Sequence, residues 1–239
     1  MANICDLFII ESCSNCSDDF IPEGEDIVHA LHRIGKKPIL ISVENKDDLK
    51  RALRIFKASK YRYLHFSCHG TDSDLALANG DNLSYQEFAQ ISHNCFNIKR
   101  MFFSACELGN CNFSNEIAMQ NVGIQSIVAP IEKESSITLA SFWCAFYTSI
   151  LLPELSIDIN SKLEYKTVTP KSHMKLVELK RKLCLAINLY GRPFHISYHE
   201  TSKDVLYHEK LKPLGKTKLK ALSPNSLVSI ETDTPLNLR

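Results

Sequence analysis

The stretch YRYLHFSCHG, Tyr61–Gly70, decides the fold once it is set beside KRMFFSACELGN, Lys99–Asn110. Each is an apolar run that stops at a reactive side chain among small residues. The first stops at His69-Gly70 and the second at Ser104-Ala105-Cys106. Near-continuous apolar runs mark strands covered on both faces, as parallel strands are. In open parallel sheets the functional crevice lies beyond the carboxyl ends of the strands, and His69 and Cys106 share that address. Residues 71–98 have room for a hairpin and a helix, enough for a right-handed crossover that sets the two strands side by side.

The alternation extends outward from this pair. ICDLFIIES (Ile4–Ser12) and KPILISV (Lys37–Val43) read as strands. Between them, EGEDIVHALHRIG has apolar residues at Ile27, Val28, Leu31 and Ile34, a helical spacing that Gly35 ends. NKDDLKRALRIFKASK is a second helix, with Asn45 as N-cap and Asp47 and Asp48 in its first turn. Asn79-Gly80-Asp81 signals a hairpin, and a helix begins at Ser84. Beyond Cys106 the pattern gives a helix in FSNEIAMQNVG, a strand in QSIVAPI and a long helix over Ile137–Leu152. An amphipathic helix over about His173–Tyr190 and a strand in PFHISYH follow. Strands alternating with helices predict an α/β three-layer sandwich with a mainly parallel central sheet. Residues 1–212 read as one domain. Residues 213–239 read as an extension with one short strand at SLVSIE.

Bulk properties remove several function classes. The chain has 239 residues with a formal net charge of +1, so no global field draws it to nucleic acid or acidic lipid. The basic segment Lys203–Lys220 is expected to be a solvated surface. No apolar run reaches the roughly 18 residues of a membrane span. The nine cysteines are odd in number and sit in apolar runs as often as in loops. The opening MANICDLFIIES lacks the form of a secretory signal, so reduced thiols in a cytoplasmic protein are expected. Phosphate loops and dinucleotide fingerprints are missing, so no cofactor is expected.

A thiolate is the reactive form of cysteine, and a histidine on the neighbouring strand end can take its proton. Gly70 permits close approach of a peptide backbone, and Ser104-Ala105 keep the floor shallow. The N–H groups of Gly70 and Cys106 are then candidate oxyanion donors. The structural alternative is a buried strand-end histidine and a buried cysteine, among the most buried residue types.

HFSCHG, the hairpin region ANGDNLSYQEFA and FFSACELGN together resemble the CHAT domains of the caspase-like cysteine proteases. The likeness continues through NEIAMQNVGIQSIVAPI, ASFWCAFYTSILL, KLVELKRKLCLAINL and GRPFHISYHE, and so covers about Tyr61–His199. It implies a caspase-like fold and a cysteine endopeptidase with His69 as base and Cys106 as nucleophile, without metal. It also implies a protein substrate and an activating partner or complex. Relatives often serve bacterial defence and cell death, where such a protease cuts a partner, for instance a pore-forming protein. By the same likeness, Glu11, Ser12, Ser104, Glu132 and Glu134 line the pocket for the residue before the cut, and an acidic lining would favour Lys or Arg there. The chain departs from many relatives in having VAPIEKESS, without Trp or Asp, after the strand that follows the cysteine helix. The alternative from another class is a catalytically silent scaffold that binds a partner through the cleft.

Cys13 and Cys16 have the C-x-x-C spacing of redox or zinc sites, but no second such pair follows. Cys106 and Cys111 are too widely spaced for a zinc knuckle. His29 and His32 are expected to face water, and His195 and His199 to brace a sheet edge. His65 lies about 13 Å along its strand from His69, too far to share a site.

Overall fold

The structure, a computed structural model, describes residues 6–13, 22–152, 175–199, 205–213 and 229–237. Its elements run β1 (Leu7–Glu11), α1 (Gly24–Arg33), β2 (Ile39–Ser42), α2 (Lys46–Ala58), β3 (Tyr63–Ser67), β4 (His69–Gly70), β5 (Asp74–Ala76), β6 (Asn82–Ser84) and α3 (Tyr85–Ile91). They continue with β7 (Arg100–Ser104), α4 (Cys111–Gln120), β8 (Ser126–Pro130), α5 (Ser136–Leu151), α6 (Leu176–Tyr190), β9 (Phe194–His199), β10 (Val205–Lys212) and β11 (Ser229–Asn237). One sheet takes the order β11-β10-β9-β8-β7-β3-β1-β2, and a small second sheet takes the order β4-β5-β6. From β8 to β2 all neighbours are parallel, whereas β8-β9, β9-β10 and β10-β11 are antiparallel.

Alternation along each strand divides the core into two layers. Phe8, Ile10, Leu64, Phe66, Met101 and Phe103 pack with α2, α3 and α4. Leu7, Ile9, Phe102, Val128 and Ile196 pack with α1, α5 and α6. Helices therefore cover both faces, and the α/β sandwich is present as the sequence predicts. Its helices start where the caps direct. Asn45 accepts from the N–H groups of Asp47 and Asp48, and Ser84 from that of Glu87. Gly80, at φ +88°, makes the turn between β5 and β6 that the hairpin signal requires.

Three expectations are corrected. Residues 205–212 of the basic segment are strand β10, with Leu206, His208, Glu209 and Leu211 buried, so that part is not solvated surface. There the lysines alternate with inward residues, a strand pattern that the charge obscures. His195 lies on β9, which β8 and β10 flank, so it is inside the sheet and not at an edge. His69-Gly70 do not simply end a strand. They form β4, which pairs with Leu75 and Ala76. The predicted helix start at His173 and the first residues of SLVSIE lie outside the described residues, as does Cys16. The segment from 229 to 237 joins the main sheet through β10.

Candidate active site

The parallel register sets the geometry. Tyr63–Ser67 of β3 pair residue for residue with Arg100–Ser104 of β7, ending at Ser67 opposite Ser104. The contact continues past the end of β3, where the Cys68 N–H donates to the Ser104 carbonyl at 3.3 Å. Two residues beyond each end come His69 and Cys106. The approach of the two loops is close enough that a Cβ on Gly70 would lie 2.6 Å from the Cys106 carbonyl oxygen and 3.2 Å from its nitrogen. Only glycine fits there without moving backbone. The segment carrying the histidine therefore runs directly over the segment carrying the thiol.

The small sheet holds His69 in place. His69 pairs with Ala76 and Gly70 with Leu75, and the ladder closes where the Thr71 N–H donates to the Asp74 carbonyl at 2.9 Å. Hydrogen-bonded and non-bonded pairs alternate along an antiparallel ladder. With Thr71 and Asp74 bonded, Gly70 and Leu75 are a non-bonded pair, so the Gly70 N–H points away from β5. Tyr85 ties the hairpin to the cysteine loop, since its hydroxyl donates to the Thr71 carbonyl and accepts from Asn110 Nδ2.

On the thiol side, β7 ends at Ser104, and the chain turns through Glu107, at φ +61°, into α4. Asn110 caps that helix by accepting from the Phe113 N–H. Gly109 lets the loop pass under β8. A Cβ there would meet the Pro130 and Ala129 carbonyl oxygens at 2.6 and 2.7 Å. Cys106 Sγ lies between the backbone groups of Glu134, 3.4 Å from its N–H and 3.5 Å from its carbonyl oxygen.

The other expected lining residues divide into two groups. In register, Glu11, Ser67 and Ser104 form a row across β1, β3 and β7, two residues before Cys13, His69 and Cys106 in the chain. The hydroxyls of Ser67 and Ser104 are buried with no hydrogen-bond partner among the described residues. Glu11 serves α1 instead, because its Oε1 accepts the N–H groups of Glu23 and Gly24, each at 2.8 Å. Burial raises its pKa, and those helix-terminal donors oppose the rise. Ser12 is also engaged, donating to the Val43 carbonyl and accepting from the Ala78 N–H. Glu132 is exposed. The Glu134 side chain is 1% exposed and lies 3.0 Å from Arg192 Nε. Burial raises its pKa, Arg192 counters, and Glu132 adds to the rise.

The remaining thiols differ from a redox pair. Burial pushes Cys13 far up, with the charges of Glu11 and Glu23 adding to it. Burial likewise pushes Cys144 and Cys184 up to about 11 and raises Cys68 and Cys95. A reactive C-x-x-C cysteine needs the opposite shift. His29 and His32 are exposed as expected. His65, by contrast, is fully buried between Glu23 Oε1 at 2.8 Å and the Tyr147 hydroxyl at 2.7 Å, on the α1–α5 face of the sheet. No sequence signal links residues 23, 65 and 147. No helix among the described residues is long and apolar enough to cross a membrane.

No family model matches the chain, and no curated protein matches it.

Proposed function

We propose that the chain is a CHAT-type cysteine endopeptidase in which His69 and Cys106 form a catalytic dyad. The observation that carries this is the contact of Gly70 with the Cys106 backbone at the ends of two register-matched parallel strands. It brings a histidine-bearing and a thiol-bearing segment to one rim, with a glycine at their crossing.

In this mechanism His69 takes the thiol proton and the Cys106 sulfur attacks a peptide carbonyl. The carbonyl oxygen becomes an oxyanion that accepts from the N–H groups of Gly70 and Cys106. Collapse of the tetrahedral intermediate breaks the C–N bond, and His69 returns the proton to the departing amine. The acyl group stays on sulfur as a thioester until water, deprotonated by His69, releases the acid and restores the thiol. The resting sulfur sits against the Glu134 backbone, so substrate entry shifts residues 131–135. A shift of that kind suits a protease switched on by a partner. The substrate is a protein of the cytoplasm, as in a bacterial defence or cell-death system. The Ser67–Ser104 floor and Glu134, once it leaves Arg192, would receive a Lys or Arg side chain before the cut.

Co-expression of wild type, Cys106→Ala and His69→Ala with neighbouring gene products tests this. A partner cut by wild type alone, after a basic residue, is expected. A partner bound equally by all three and cut by none would favour the scaffold.

A further inference from the structure

We infer that Cys111, His195 and His208 form a site for a tetrahedral divalent cation of the zinc class, independent of the peptidase proposal. One ligand atom from each residue lies within 4.8 Å of the others. They come from three elements, namely the first turn of α4, the start of β9 and the middle of β10.

The setting is unusual within this fold. The sheet face toward α4 is otherwise apolar, with Phe8, Phe66, Phe103 and Ile127 in its core. On β9 and β10 the same face carries His195, Ser197 and His208, each 2% exposed or less. His208 pairs directly with Ser197, so His195 is its diagonal neighbour. The β10-β11 register shifts between Leu206 and His208, an irregularity of the kind that re-aims side chains.

The distances suit coordination. His195 Nε2 and His208 Nδ1 are 3.3 Å apart. Two nitrogens on a tetrahedral zinc, each at about 2.0–2.1 Å, are separated by about 3.3 Å. Asn115, one turn after Cys111 on α4, places Oδ1 3.1 Å from His208 Nε2. A carbonyl oxygen only accepts, so Nε2 holds the proton and the Nδ1 lone pair faces His195. A hydrogen-bond acceptor behind a metal-bound histidine holds its ring and tautomer in this way. Cys111 is the first residue of α4, where the amino-terminal end of the helix favours a thiolate. Ser197 Oγ lies 2.9 Å from His208 Nδ1 and 3.2 Å from His195 Nε2, at the position of a fourth, weaker vertex. Binding would release the Cys111 thiol proton and leave both imidazoles neutral. The bound ion would clamp the start of α4, five residues after Cys106, to the antiparallel half of the sheet.

Cobalt(II) titration of chelator-treated full-length protein tests the site, read by thiolate-to-cobalt charge-transfer absorption and by metal content per chain. One cobalt per chain is expected, displaced by zinc. The band should vanish in Cys111→Ala and persist in Cys106→Ala and Cys13→Ala. Asn115→Ala should weaken binding by about tenfold or more. Absence of the band in wild type would overturn the site and leave Ser197 as the centre of a metal-free hydrogen-bond chain. A band that survives Cys111→Ala would overturn it as well.

Discussion

The α4-side face of the sheet differs between its two halves. Across β1, β3 and β7 it is apolar along its length, and the polar groups of interest gather past the strand ends at His69 and Cys106. Across β9 and β10 the same face carries His195, Ser197 and His208 within the strands, under α4. On this face the parallel strands hold no polar side chain before their ends, whereas on the opposite face His65 sits in mid-strand with Glu23 and Tyr147 against its two ring nitrogens. The antiparallel half buries polar groups in mid-sheet because they satisfy one another. One half therefore concentrates its chemistry at a rim, and the other encloses it.

The largest expected effect probes the apolar half. Phe103 is fully buried and meets the rings of Phe66, Phe88 and Phe113. Phe103→Ala should cost about 3–5 kcal/mol in urea unfolding. Ser197→Ala, in the polar half, should cost less, since the hydroxyl is one member of a small network. Equal costs would erase the distinction between the halves.

A smaller effect sharpens the rim. In Gly70→Ala the new methyl meets backbone atoms of Cys106 and must push the two loops apart. The expected cost is about 1–3 kcal/mol of stability, together with slower modification of Cys106. An unchanged stability and an unchanged rate would mean that the two loops are not in contact in solution.

The smallest effect is a tilt with pH. Burial raises the Glu11 pKa, so the folded chain holds its proton at pH values where the unfolded chain has lost it. Stability from this group is complete below the ordinary carboxylate range and falls as pH rises through the raised value. Glu11→Gln removes that fall, so the variant should gain on wild type as pH increases. Urea midpoints across the acidic to neutral range would show it, and a constant difference would contradict it.

What could be read from the sequence follows the same division. The strands β3 and β7, the caps Asn45 and Ser84, the turn at Gly80 and the positions of His69 and Cys106 two residues past β3 and β7 are local patterns. Each is carried by contiguous residues, so periodicity and capping chemistry reveal it. The Cys111–His195–His208 cluster and the Glu23–His65–Tyr147 contact join residues far apart in the chain. Only sheet order and register bring them together, and single residues give no sign of it. β10 was hidden for a different reason, because lysines at Lys210 and Lys212 mask its inward alternation. The engagement of Glu11 with α1 was hidden as well, since a strand-end carboxylate reads equally as pocket lining or helix cap.

The most direct test of the central claim is the alkylation rate of each cysteine by an iodoacetamide-type reagent, followed by mass spectrometry in wild type and His69→Ala. A cooperating dyad predicts that Cys106 reacts far faster than Cys13, Cys68, Cys95, Cys144 and Cys184, and that His69→Ala removes its advantage. A Cys106 rate equal to those of these other thiols, or a fast rate unchanged in His69→Ala, would contradict it.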